Sequence, residues 1–289
     1  MKRRAFQQVD VFTQTPYLGN PLAVVLDGSG LQTEEMQAFT DWTNLSEATF
    51  LLPPTHPDAD YRVRIFCPGR ELPFAGHPTL GTCHVWLLSG GRPQRDYVVQ
   101  QCEVGLVKIR RDGERLSFAA PPLRKQGPLP PDDVDRIARG LGIPRADILH
   151  HAWCDNGPNW RGVMLRSAEQ VLSIRPDAAV LAGLDVGVVG PRGKVGVIGA
   201  QPPQQECAFE VRAFFPGAGG GMAEDPVTGS LNAAIGQWLI EAGLAPSRYV
   251  ARQGTALHRS GLVYVERDDS GQVWVGGSTV NCIEGSVLL

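Results

Sequence analysis

Four side chains stand at punctuated places where proton chemistry could be done. Glu47 lies where a helical pattern hands over to a strand, His77 lies between Gly76 and Pro78, Asp225 precedes Pro226, and Ser230 follows Gly229. Free backbone N–H groups at a helix start, helped by the helix dipole, attract a carboxylate or a developing enolate. Two such helix starts are therefore expected to hold a small acidic molecule. Each residue alone has a plainer reading as well: Asp and Ser cap helices, a Glu at the end of an element is usually solvated, and a buried His can be structural.

The pairing of segments weakens the plainer reading. Arg64-Ile65-Phe66-Cys67-Pro68 leads to Pro78-Thr79-Leu80-Gly81, and Arg212-Ala213-Phe214-Phe215-Pro216 leads to Pro226-Val227-Thr228-Gly229. The differences 212 − 64, 226 − 78 and 229 − 81 all equal 148, about half the chain. That period is too long for a solenoid repeat of roughly 20 to 50 residues and implies two domains of similar fold related by duplication. Under this offset His77 falls opposite Asp225, and Glu47 stands outside the repeated segment.

The elements that must hold these groups can be read from periodicity. Phe6–Phe12 and Leu22–Leu26 read as strands around a turn, and Thr33 offers an N-cap for a helix that ends near Asn44. Tyr61, Val63 and Ile65 alternate with Arg62 and Arg64, the period-two pattern of a half-buried strand. Pro78–Leu88 is apolar on every side and stops at Gly90-Gly91, as a buried helix would. Strands follow at Tyr97–Gln100, Val104–Arg110 and Arg115–Phe118. The Pro- and Gly-rich stretch 121–131 places a boundary near 125/126, giving domains 1–125 and 126–289. An amphipathic helix through Asp132–Leu141 comes next, closed by Gly142. Strands at Gly162–Leu165, Val195–Gly199 and Ala208–Phe215 lead to a glycine-rich loop. Leu231, Ala234, Ile235, Trp238, Leu239 and Ala242 then mark a second buried helix ended by Gly243. Strands at Leu262–Arg267 and Val273–Gly276 finish the pattern. The absence of long crossover helices predicts mainly antiparallel sheets in an α+β protein, one central helix in each half.

Composition excludes several function classes. A net charge of −3 with scattered Arg residues offers no basic stripe for nucleic acid. Met1-Lys2-Arg3-Arg4 has no apolar run behind it, so neither a signal peptide nor a membrane span is expected and the chain reads as cytoplasmic. The six cysteines show no CxxC and no tight pairing, which reads as buried free thiols rather than a metal site or a disulfide frame. Gly217, Gly219, Gly220 and Gly221 are followed by Met222, so the phosphate-loop and dinucleotide patterns fail and a turn or lid is the better reading.

Asn44-Leu45-Ser46-Glu47, the run from Glu71 through Pro73-Phe74-Ala75-Gly76-His77-Pro78 to Gly81, and Glu224-Asp225-Pro226-Val227-Thr228-Gly229-Ser230 together resemble the phenazine biosynthesis PhzF-like family. The resemblance runs from Val9-Asp10-Val11-Phe12 and Gly19-Asn20-Pro21 to the C-terminal strands. It departs at Ala48, where Thr or Ser is common, and at Leu231, where a small residue is. It implies a diaminopimelate epimerase-like fold in which the C-terminal strands can cross back to the first domain, with an active site in the cleft between two domains. Related epimerases and racemases use two Cys thiols at the two helix starts. Here those neighbourhoods read Ala75-Gly76-His77 and Asp225-Pro226-Val227-Thr228, so the two-thiol mechanism is not available. The resemblance further implies Glu47 as proton shuttle, with His77, Asp225 and Ser230 assisting, and Asn20, Gly76 and Gly229 binding substrate. It implies no metal and no cofactor, a small anionic substrate with trans-2,3-dihydro-3-hydroxyanthranilate as the family's reference, and a homodimer. An amino- or hydroxy-acid epimerase and a non-catalytic binding homologue stand as alternatives.

Overall fold

The structure, a computed structural model, describes residues 1–193, 207–217 and 221–289. The expected strand Val195–Gly199 and glycines Gly219 and Gly220 lie outside the described residues. The chain divides into two compact units, Met1–Ala119 with Gly276–Leu289, and Ala120–Val275.

In the first unit, β1 (Arg3–Val11) and β2 (Asn20–Val25) pair antiparallel, and α1 (Thr33–Thr43) carries the chain to β3 (Glu47–Leu52). Then come β4 (Tyr61–Cys67), the short β5 (Arg70–Leu72), α2 (Gly76–Leu88), β6 (Val98–Cys102), β7 (Gly105–Asp112) and β8 (Arg115–Ala119). The C-terminal strand Thr279–Leu288 closes on β1, so the sheet runs from that strand through β1, β2, β3, β4, β6 and β7 to β8. Neighbours are mostly antiparallel, but β2–β3 and β4–β6 are parallel. The sheet is thus mainly antiparallel, as expected, with two parallel pairs that the sequence pattern does not announce. Helices α1 and α2 return the chain across the sheet, and a strand entered after such a crossover runs parallel to the one before it.

Helix α2 is the centre of this unit. It packs against β1, β2, β3 and β8, and every residue from Gly76 to Cys83 is buried. A helix embedded this deeply must approach the sheet closely. At Gly81 an added Cβ would lie 2.6 Å from Leu22 Cδ2 and about as near to Val9 and Val11, so a larger residue would push α2 off the strands. On the other face of the sheet, α1 sets its Phe39 ring against Phe50, and Phe50 meets Phe66, both pairs edge to face. The N-cap of α1 is Gln32 rather than Thr33, with the Gln32 N–H donating to Glu35 Oε2 at 2.8 Å.

The second unit repeats this plan. After α3 (Pro131–Leu141), β9 (His150–Asp155) and β10 (Asn159–Met164) pair antiparallel, and α4 (Ala168–Ser173) crosses to β11 (Asp185–Pro191), parallel to β10. Strand β12 (Phe209–Pro216) and its hairpin partner β13 (Met222–Asp225) precede the buried helix α5 (Gly229–Glu241). Strand β14 (Arg248–Gln253) then runs parallel to β12, and β15 (Gly261–Arg267) antiparallel to β14. A second core forms under α3 and α4 around Val134, Ile137, Leu141, Val171, Val186, Val188 and Phe214.

The shared plan corrects the repeat read from sequence. Ile65 pairs Leu72 in one hairpin and Ala213 pairs Asp225 in the other. The first partners differ by 148 (213 − 65) and the second by 153 (225 − 72), so five extra residues enter between β12 and β13. Helices α2 and α5 begin at Gly76 and Gly229, again 153 apart. The counterpart of His77 is therefore Ser230, not Asp225, and the counterpart of Asp225 is Leu72. Glu47 is not outside the repeat either. It opens β3 beside Leu22, as Asp185 opens β11 beside Trp160.

Candidate active site

His77 is the second residue of α2 and is 4% exposed, so its ring lies at the helix start and inside the core. Asn20, the fully buried first residue of β2, brings its Nδ2 to 3.3 Å from His77 Nδ1, and the Pro21 carbonyl accepts from the same ring. The Asn20 contact holds the Nδ1 side of the imidazole. The Nε2 side faces Glu47, with Nε2 3.2 Å from Oε2 and side-chain exposures of 5% and 16%. That separation suits an ion pair, yet His77 Nε2 is out of line for a hydrogen bond. Burial depresses the His77 pKa from 6.5 to about 3, and only the Pro21 carbonyl opposes this. His77 is thus neutral around pH 7. It cannot neutralise Glu47, but its ring can hold or pass a proton.

This burial has a consequence for stability. Between pH 6.5 and 3 the unfolded chain binds a proton at this His and the native chain does not. The native state therefore loses stability as pH falls through that window and gains nothing from His77 above it. In a ¹H–¹⁵N spectrum, the His77 ring should stay in its neutral form from about pH 8 to about pH 5. An imidazolium signal from His77 at about pH 6 would contradict the burial argument.

Glu47 owes its position to the register of β3: Leu22 lies beside it on β2, and Ala48 pairs Phe66 on β4. It is half-buried at a strand start, not a solvated loop edge. Cys67, at the end of β4, feels the Glu47 charge. Its thiol pKa is raised, first by desolvation and then by that carboxylate, against the lowering effect of Arg70. The thiol therefore stays protonated beside Glu47. All six cysteines are free, but only Cys83 and Cys154 are buried, and the other four are half-exposed. Burial pushes both buried thiols up to about 12.

In the second unit, Gly229 and Ser230 form the first turn of α5, where unpaired N–H groups point out of the helix. Ser230 Oγ accepts from Trp160 Nε1 at 3.2 Å, and its carbonyl accepts from Asn156 Nδ2 at 2.8 Å. Asp225 ends β13, with its Oδ2 accepting from Thr228 Oγ1 at 2.6 Å. Both hairpins before the central helices are fastened alike. Arg64 Nε donates to Glu71 at 2.7 Å and Arg212 Nε donates to Glu224 at 2.8 Å, and each guanidinium also lies over a ring, Phe66 and Phe214 respectively. The bidentate bridge fixes the strand that leads into each helix start.

The structure thus joins Glu47, His77 and Asn20 in one cluster and puts Gly76 beside them at the start of α2. It joins Asp225, Gly229 and Ser230 around the start of α5. Sequence spacing does not single out Trp160, Asn156 or Thr228. Trp160 and Asn156 carry no motif, and Thr228 enters only through a repeat whose offset the insertion disguises. Among the described residues, no cluster of three or more His, Cys, Asp or Glu could hold a metal ion. No described helix is long and apolar enough to cross a membrane.

Comparison with known proteins adds a lineage to this geometry. The model of the phenazine biosynthesis-like protein family matches residues 9–285. Antisense-enhancing sequence 1 of Schizosaccharomyces pombe is 34% identical over the full length of both chains. The trans-2,3-dihydro-3-hydroxyanthranilate isomerase of Pseudomonas aeruginosa is 29% identical over 97% of this chain and 98% of its own. A crystal structure of a phenazine biosynthesis protein of the PhzF family from Enterococcus faecalis superimposes over both whole chains with a TM-score of 0.77 at 25% identity.

Proposed function

Because the chain belongs to the phenazine biosynthesis-like protein family and is an isomerase, we propose that it moves a proton within a small carboxylate-bearing molecule, with Glu47 as the acid and base. The observation that carries this reading is the Glu47–His77 contact of 3.2 Å at the buried start of α2. A half-buried carboxylate held against an imidazole at a helix start is placed to accept a proton from a bound molecule and to return it. Asn20 keeps the imidazole aimed at it. The N–H groups at the starts of α2 and α5, next to Gly76 and Gly229, are proposed to hold the substrate's carboxylate or the enolate that forms when the proton leaves. Ser230 and Asp225 are proposed to orient the substrate and assist the second proton transfer. No redox change is involved, so the residues themselves suffice for the chemistry.

The test is solvent-deuterium incorporation at about pH 7 across a panel of cyclic and acyclic carboxylates, including trans-2,3-dihydro-3-hydroxyanthranilate. Exchange into at least one compound, with a shifted double bond in the product, is the expected result. Inversion at one stereocentre without a double-bond shift would move the reading to an epimerase, and binding without exchange would remove catalysis from it. The same reading carries a cytoplasmic homodimer. Light scattering on the purified chain checks the assembly, which should have twice the chain mass.

A further inference from the structure

Gln253 is fully buried at the end of β14, and its amide makes four hydrogen bonds. Nε2 donates to the Asp225 carbonyl at 3.1 Å and to Thr228 Oγ1 at 2.9 Å. Oε1 accepts from the Thr228 N–H at 3.1 Å and from Asn232 Nδ2 at 2.8 Å. These bonds fix the direction of one hydroxyl proton. Because Thr228 Oγ1 accepts from Gln253, its own hydrogen is free to point elsewhere, and it goes to Asp225 Oδ2 at 2.6 Å. Thr228 is 6% exposed, so water does not compete for that hydrogen.

The duplicated unit supplies an internal control. Gln100 on β6 stands 153 residues before Gln253 (253 − 100), the offset of the two helix starts, and it is also fully buried. It likewise ties its sheet to the central helix, donating to Thr79 Oγ1 at 2.9 Å where Gln253 bonds Asn232. Its remaining acceptor goes to the Tyr61 hydroxyl at 2.9 Å. At the places of Thr228 and Asp225 the first unit has Ala75 and Leu72, so no relay exists there. Anchoring the helix is common to both units. The chain from Gln253 through Thr228 to a carboxylate is found only where a carboxylate stands.

We propose that Gln253 and Thr228 are positioning residues for the proposed reaction, aiming the Asp225 carboxylate by a hydroxyl whose donor direction Gln253 sets. The proposal rests on the reading that Asp225 takes part in proton transfer. Neither residue need touch the substrate. Of the charged groups nearby, Glu224 is tied to Arg212, Arg252 on β14 is turned to Ser260, and Arg259 lies against Gly254 beside the Pro226 carbonyl.

The experiment follows the ¹³C signal of the Asp225 carboxyl in the full-length chain labelled at Asp, assigned by its loss in Asp225→Asn. In Thr228→Val the carboxylate loses the Thr228 hydroxyl bond, so its titration midpoint should rise by about one pH unit. Thr228→Ser should return it close to the parent value. Gln253→Met should move it the same way by less, because the hydroxyl becomes free to rotate. A purely structural role would lower the melting temperature and leave the midpoint where it was, and that result in folded Thr228→Val overturns the proposal. Should Thr228→Val not fold, an unmoved midpoint in Gln253→Met does the same. Solvent exchange on the same variants separates the two ideas. A moved midpoint with unchanged exchange upholds the aiming of the carboxylate and sinks Asp225 as a participant in the reaction.

Discussion

Glu47→Gln should lower solvent-deuterium incorporation by about 10³-fold or more, the scale of a lost general acid–base group, and leave the fold intact. The substitution is nearly isosteric, and an amide can sit opposite His77 Nε2 at the 3.2 Å now spanned by the carboxylate. What it cannot do is carry a proton away and bring it back. His77 does not replace it at neutral pH as a cation, since burial keeps its pKa at about 3. A companion His77→Asn variant should lose less, because it removes the partner and not the shuttle. Both are read by mass spectrometry of the recovered substrate, beside thermal melts showing that the variants fold. Full turnover in Glu47→Gln would end the assignment of Glu47 whatever the substrate proves to be.

Arg212→Ala should lower the melting temperature by roughly 6–10 °C, whereas Arg64→Ala should lower it by only a few degrees. The two guanidinium–carboxylate bridges have the same geometry, but Arg212 and Glu224 are 5% and 12% exposed and Arg64 and Glu71 are 25% and 28% exposed. Arg212 also donates to the carbonyls of Val171 and Ile174, at 3.1 and 2.9 Å. Removing it strands a nearly buried carboxylate and two carbonyls, a loss of about 3–5 kcal/mol. At about 2 °C per kcal/mol for a chain of this size, the larger figure follows. The half-exposed pair is screened by water, and its loss is on the order of 1 kcal/mol. Calorimetry on both variants decides the point. Equal shifts would show that burial is not what separates the two bridges.

Much of the fold was legible because its signals are local. Alternation in Tyr61–Cys67, all-round apolarity in Pro78–Leu88, and the three- and four-residue steps after Gly229 each reflect one element's own burial, and the structure has those elements. The duplication was legible through Arg64 and Arg212, whose surroundings must stay alike because each forms the same bridge over the same ring. Its register was not. A match of Pro and Gly at a constant offset ran across an insertion, and the paired hairpins, Ile65 with Leu72 and Ala213 with Asp225, show five residues added. The chain does carry a trace of that insertion, since Glu71 and Glu224, and Gln100 and Gln253, share the offset of 153. Two isolated pairs gain meaning only once the bridge and the buried amide that each pair serves are known.

By itself the sequence offered Glu47, His77, Asp225 and Ser230 as candidates for the chemistry, and determined that no thiol stands at either helix start. It also determined the two central helices, since a segment without a polar face has nowhere to go but the interior. The tertiary structure alone decided which partner each group meets. Glu47 and His77 lie thirty residues apart in the chain, and their 3.2 Å contact arises from β3's register against β2 and the depth to which α2 sinks beneath β1 and β2. Gln253 reaches Thr228 only because β14 returns alongside β12. Hydrogen bonds and desolvation act over a few ångströms of space, and chain spacing does not report those distances once the strands have crossed.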